Sequence, residues 1–107
     1  VPVDMRHVTV YIIRMIKSFL DRYTQELYEN GKSKRFPPEI WKRALLKLEY
    51  VDLATSLKDL RVPPSNRFHQ LEGNRKGQLS ISVIDQWRIC FRFVAGDAYD
   101  VELTDYH

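Results

Sequence analysis

The stretch LSISVIDQWRICFRFVAGDAYDVELT, residues 79–104, decides the fold. Leu79, Ile81 and Val83 alternate with polar neighbours. Trp87, Ile89, Phe91 and Phe93 alternate with Arg88, Cys90 and Arg92, and Tyr99, Val101 and Leu103 alternate with Ala98, Asp100, Glu102 and Thr104. A period of two sends successive side chains to opposite faces, so these runs predict three half-buried strands. Ala95-Gly96-Asp97 supplies the tight turn between the last two.

Working back toward the start, the period changes to that of helices. Asp21 is placed to cap a helix running to about Asn30, with Leu20, Tyr23, Leu27 and Tyr28 at helical spacing and Gly31 as its stop. After a basic connector from Lys32 to Phe36, Pro37-Pro38 suits the first turn of a second helix, and Glu39 suits its positive end. Ile40, Trp41, Ala44, Leu45, Leu48 and Val51 form its apolar stripe and leave Lys42, Arg43 and Lys47 in water. A short helical turn over 54–60 precedes Pro63-Pro64. Trp41 and Trp87 lie in apolar stripes and read as core, and Tyr23, Tyr28 and Tyr50 as packing. Helices first and an antiparallel sheet after predict an α+β fold, with the helices on one face and the other face open. Met15 to Phe19 reads as a short strand. Residues 1–14 read as an N-terminal extension, separable from a single domain over 15–107. Val8, Val10 and Ile12 also alternate, so an added edge strand is the other reading.

Composition narrows the function classes. The chain has 107 residues, 44% apolar and 12% aromatic, enough for one domain with a buried core. Its 17 Lys and Arg against 14 Asp and Glu give a net charge of +3. Six cations (Lys32, Lys34, Arg35, Lys42, Arg43, Lys47) face one acid between residues 32 and 47, and four (Arg61, Arg67, Arg75, Lys76) face one between 61 and 76. Such segments suit a polyanionic or acidic partner, whereas the final stretch is acidic. One cysteine, Cys90, excludes an internal disulfide framework and a cysteine-based zinc cluster. A cytoplasmic address is expected. No apolar run approaches the roughly 20 residues of a membrane span, so no membrane association is expected.

The polar face of the sheet is where chemistry could gather. Counting outward from the turn at 95–97 places Arg88 near Asp105 and Tyr106. RNA can be cut by its own 2′-hydroxyl attacking the adjacent phosphate. That reaction needs a base, an acid for the leaving 5′ oxygen, and positive charge on the crowded phosphorane. His107 is a natural proton carrier, and Arg88 could hold two phosphate oxygens. Tyr106 could stack on a base or donate to phosphate, Asp105 could orient either neighbour, and His69 is a second proton carrier. Residue types alone also allow plainer readings, with His107 a solvated chain end and Arg88 and Arg92 solvated sheet residues.

A resemblance adds to this. The chain resembles the HigB-type toxins (plasmid maintenance killer proteins) of the RelE/ParE superfamily from Met15 to His107. The likeness is carried by Met15-Ile16-Lys17-Ser18-Phe19, Ala54-Thr55, Leu57-Lys58-Asp59-Leu60-Arg61 and Pro63-Pro64-Ser65-Asn66-Arg67. It continues through Leu71-Glu72-Gly73-Asn74-Arg75-Lys76-Gly77, Ser80-Ile81-Ser82-Val83, Gln86-Trp87-Arg88-Ile89-Cys90-Phe91, Gly96-Asp97-Ala98-Tyr99 and the closing Asp105-Tyr106-His107. It implies a RelE-like domain of two main helices on one face of a small, mostly antiparallel sheet. It also implies a toxin that enters the ribosomal A site and cuts mRNA, needs no cofactor or metal, and pairs with a HigA-like helix-turn-helix antitoxin. The family's catalytic positions fall on Asp105, Tyr106, His107 and Arg88, and His69, the second candidate catalyst, matches a histidine that some members carry just before the Gly73 turn. Some members carry a catalytic lysine where this chain has Glu72, so Arg67, Arg75 or Lys76 would have to supply that charge. Arg67, Arg75, Lys76 and Arg92, with Lys42, Arg43 and Lys47, are the cations expected to hold RNA. Two other readings remain open: a ParE-like toxin that binds DNA gyrase, and an RNA- or ribosome-binding module without catalysis.

Overall fold

A computed structural model describes residues 15–105. The proposed extension over 1–14, and Tyr106 and His107, lie outside the described residues. Helix α1 spans Arg22–Asn30 and begins where Asp21 caps it, the Asp21 Oδ1 accepting from the Thr24 N–H at 2.7 Å. It ends at Gly31, whose φ of 79° lies in the left-handed region that glycine enters without a Cβ clash. Helix α2 spans Pro38–Leu53 with proline in its first turn. A 3₁₀ turn over Leu57–Arg61 follows. It is held by a reciprocal cap between Ser56 and Asp59. Hydrogen bonds from Thr55 keep the Asp59 carboxyl below its ordinary value.

The sheet has four antiparallel strands in chain order: β1 (His69–Gln70), β2 (Leu79–Ile84), β3 (Trp87–Val94) and β4 (Asp97–Asp105). The sequence predicts three; β1 is too short to show a period. The β3–β4 turn is the two-residue Ala95-Gly96, both with positive φ, the geometry whose twist matches the flanking strands. Met15 to Leu20 does not form a full strand. It lies parallel to β4 with bridges from Ile16 to Ala98 and from Phe19 to Val101. The buried Asp52 of α2 fixes its start, accepting from the Ile16 N–H and from the Tyr28 hydroxyl.

The core lies between the helices and one sheet face. Leu27, Ile40, Ala44, Leu48 and Val51 meet Leu79, Ile81, Ile89, Phe91, Val101 and Leu103. Trp41 and Trp87 are half-buried against it. Three expectations are corrected. Leu20 is exposed, and Thr24 joins Leu27 as a buried residue of α1, its hydroxyl accepting from the Leu103 N–H at 3.0 Å. Tyr99 points out and Ala98 in, because Asp100 adopts φ 53° and inserts a bulge between the pairs Cys90–Glu102 and Arg92–Tyr99. A bulge reverses the in–out parity of everything before it. Lys47, expected in water, is buried beneath the turn at Ser65 and Asn66.

Candidate active site

The sheet face away from the helices carries the polar residues. Register sets them in rows: His69, Ser80, Cys90 and Glu102 lie side by side across four strands, and Ser82, Arg88 and Thr104 form the next row. This face is less open than its alternation predicts, since Ser80, Ser82 and Cys90 are buried. Two arginines account for the cover. Arg75, in the short 3₁₀ turn before β2, reaches the far strand and pairs with Glu102 at 2.9 Å while also donating to Gln78. Arg88 leans back across β2, its Nε donating to the Ser80 hydroxyl. Burial pushes the Cys90 thiol up from its ordinary value, only partly offset by Arg75.

Arg88 is the centre of the arrangement. Its terminal nitrogen donates to the Arg67 carbonyl at 2.9 Å and meets the His69 Nδ1 at 3.2 Å. The same Nδ1 lies 3.2 Å from the Arg67 carbonyl. One ring nitrogen cannot serve both neighbours in one state. The neutral ring, with its proton on Nε2, accepts from Arg88. The other neutral tautomer, with its proton on Nδ1, donates to the Arg67 carbonyl instead. The tautomer of His69 therefore decides whether its Nδ1 serves Arg88 or the Arg67 carbonyl. The carbonyl they share is presented by Arg67 in a left-handed conformation, φ 44°. That turn is anchored below by Asn66, which donates to the carbonyls of Leu60 and Val62 and accepts from the Lys47 ammonium at 2.6 Å.

The other expected site residues divide. Arg88 sits opposite Thr104, and Asp105 sits opposite Trp87, one position along and on the other face of the strand. The expected nearness of Arg88 to Asp105 therefore holds along the sheet but not across one face, and the Asp100 bulge sets that register. Arg92 is exposed on the polar face, its Nε 3.6 Å from Asp100. A Cβ at Gly77 would stand 2.9 Å from its guanidinium. Lys76 and Glu72 are exposed together beside a groove with Gly77 and Phe93. Lys42 and Arg43 are exposed on the outer face of α2. Lys47 is not among them: it is only 4% exposed, and burial lowers its affinity for its proton. It cannot hold RNA from there. Ser80 and the Arg67 carbonyl escape a reading of the sequence. Ser80 leaves one trace, a small hydroxyl on the polar register of the strand beside Arg88.

Comparison with known proteins agrees with this architecture. Residues 17–107 match the family described as the RelE-like toxin of type II toxin-antitoxin system HigB. Toxin HigB-1 of Vibrio cholerae serotype O1 is 43% identical over 90 residues, covering 83% of this chain and 95% of that protein. Endoribonuclease HigB of Proteus vulgaris is 38% identical over 93 residues, covering 87% of this chain and all of that protein. An uncharacterised Haemophilus influenzae protein is 29% identical over 76 residues, 70% of this chain and 75% of its own.

Proposed function

Because the chain belongs to the HigB family of RelE-like toxins of type II toxin-antitoxin systems, we propose that it is an endoribonuclease that cuts mRNA on the ribosome and so stops translation. Its neutralising partner is an antitoxin, in this reading a HigA-like helix-turn-helix protein bound as a hetero-oligomer. The observation that carries the nuclease reading is the Arg88 guanidinium, held by Ser80, the Arg67 carbonyl and His69 on the face away from the helices.

In this mechanism Arg88 exchanges its bond to the Arg67 carbonyl for the non-bridging oxygens of the scissile phosphate. There it stabilises charge that grows as the 2′-oxygen attacks. His69 takes or returns a proton. His107 serves as its counterpart, with Tyr106 against a base or the phosphate and Asp105 orienting them. The reading requires Tyr106 and His107 to act on the same phosphate as Arg88. Among the cations offered in place of a lysine at Glu72, Arg75 is the best supported. It already lies across the polar face, and phosphate can replace Glu102 as its partner.

The test is Arg88→Ala and Arg88→Lys, read by primer extension on mRNA after induction. Loss of one preorganised donor to a developing oxyanion costs about 10²–10³ in rate, so both variants should lose the codon-phased 5′ ends, with Lys retaining more than Ala. Undiminished cleavage in Arg88→Ala would remove this residue from the mechanism. No RNA cleavage by the unaltered chain, with DNA breaks tied to gyrase, would replace the reading with a ParE-like one.

A further inference from the structure

A second concave site lies on the helical side, away from Arg88. The connector between α1 and α2 carries Lys32, Lys34 and Arg35 and no acid. These three cations, with Tyr23, Ser33 and Trp41, line a cavity of about 470 Å³ in which Glu26 is the one acidic residue. Two aromatic residues, Tyr23 and Trp41, stand in its lining. The Arg35 guanidinium stands 5.1 Å from the centre of the Tyr23 ring, with Arg22 at 5.0 Å from the same ring. The indole N–H of Trp41 is committed to the Phe36 carbonyl at 2.9 Å, so its ring can offer a visitor only apolar surface. Ser33 is buried, and its hydroxyl has no hydrogen-bond partner among the described residues.

We propose that this cavity is a subsite for one unpaired nucleotide of RNA, its base against Trp41 and the Arg35–Tyr23 stack and its phosphates on Lys32 and Lys34. The volume falls within the range of small-ligand sites, and aromatic and guanidinium planes beside ammonium groups are how unpaired bases are held. An acidic peptide would use the cations but not the two flat walls. Position supports RNA as well. Phe36, the residue after Arg35, meets Trp87 edge to face at 5.9 Å, and Trp87 is the strand partner of Asp105. A strand lying in the cavity therefore approaches the end of β4 at Asp105. The inference rests on the RNA reading above but adds a contact which that reading does not need.

The test uses a fluorescent ten-nucleotide single strand with 2′-O-methyl groups, which cannot be cleaved through its own 2′-oxygen. Lys32→Gln, Lys34→Gln and Arg35→Gln, combined on the exposed connector, should weaken its binding at least tenfold at low salt. Single-strand phosphate contacts contribute about 0.7 each to the slope of log affinity against log salt, so loss of the two at Lys32 and Lys34 should flatten it by about 1.4. Unchanged affinity and slope in the triple variant would overturn the subsite. So would equal competition by an acidic peptide of the same charge. Because this readout is binding, Arg88→Ala separates the two ideas: binding kept and cleavage lost leaves both standing, whereas cleavage kept in Arg88→Ala sinks only the mechanism. Repeating the triple variant on ribosomes with and without mRNA distinguishes the two sources of unpaired RNA. A defect confined to programmed ribosomes supports message in the cavity, and one present on empty ribosomes supports ribosomal RNA.

Discussion

Lys47 carries the largest lesson at the scale of single residues. An ammonium in a buried position normally faces a carboxylate, yet here it donates to the neutral Asn66 and Ser65, with the Tyr50 ring 5.4 Å away. Its burial could not be read from the helix, because the groups that cover it come from a turn some eighteen residues later. Lys47→Met keeps the length of the side chain and leaves the buried Asn66 Oδ1 without its donor. The expected cost is about 1–3 kcal/mol, measured by urea unfolding. The pH dependence has a definite sign. Burial lowers the Lys47 pKa below 10.5, so the folded chain releases this proton before the unfolded chain does. Between the folded value and 10.5 the unfolded state binds more protons, and this residue makes stability rise with pH. Below that window the penalty is fully present. The difference between native chain and Lys47→Met isolates this contribution from other alkaline groups, and a difference that does not change with pH through the alkaline range would contradict it.

Among the elements, β4 shows where pattern reading succeeds and where it stops. Its strand character and its turn are visible because apolar residues recur at period two and Ala95-Gly96 interrupts them. The caps of α1 are visible for a similar reason, since Asp21 and Gly31 each have a local chemistry. The bulge is not visible. An aspartate within an alternating run looks like any outward residue, and only its φ of 53° shows that it takes an extra position. Its N–H is satisfied by the Ser18 hydroxyl at 2.9 Å, a partner 82 residues away. This one residue decides that Thr104, and not Leu103, stands opposite Arg88. Asp100→Gly should therefore be tolerated, because glycine occupies this backbone region freely. Asp100→Val should cost about 1–3 kcal/mol more, since a β-branched side chain is strained there. Thermal unfolding of the two variants checks the order, and equal melting temperatures would count against it.

For the molecule as a whole, charge is distributed differently from the sequence count. Lys47 leaves the basic surface for the interior, Arg75 is paired with Glu102, and Lys42 and Arg43 share the outer face of α2 with Glu39 and Glu49. The exposed cations of the connector are thus more concentrated than those of the helix. Lys42→Glu with Arg43→Glu should weaken ribosome association and lower its salt slope by about 2 if both contact phosphate. Sedimentation with ribosomes at two salt concentrations reads this, and affinity equal to the native chain at both would assign the two residues to solvation. Among the described residues no helix is long and apolar enough to cross a membrane.

The contact between Met15–Leu20 and β4 has a consequence for synthesis. The backbone of this early segment is satisfied largely by Ala98 and Val101, residues made long after it. Thr24 in α1 likewise waits for Leu103. Pairings of such long sequence separation are slow to form and cannot begin before their second partner exists. The first part of the domain to leave the ribosome is therefore the last to be locked in place. Until Ala98 and Val101 have been made, the segment at Met15–Leu20 has no sheet edge to close on.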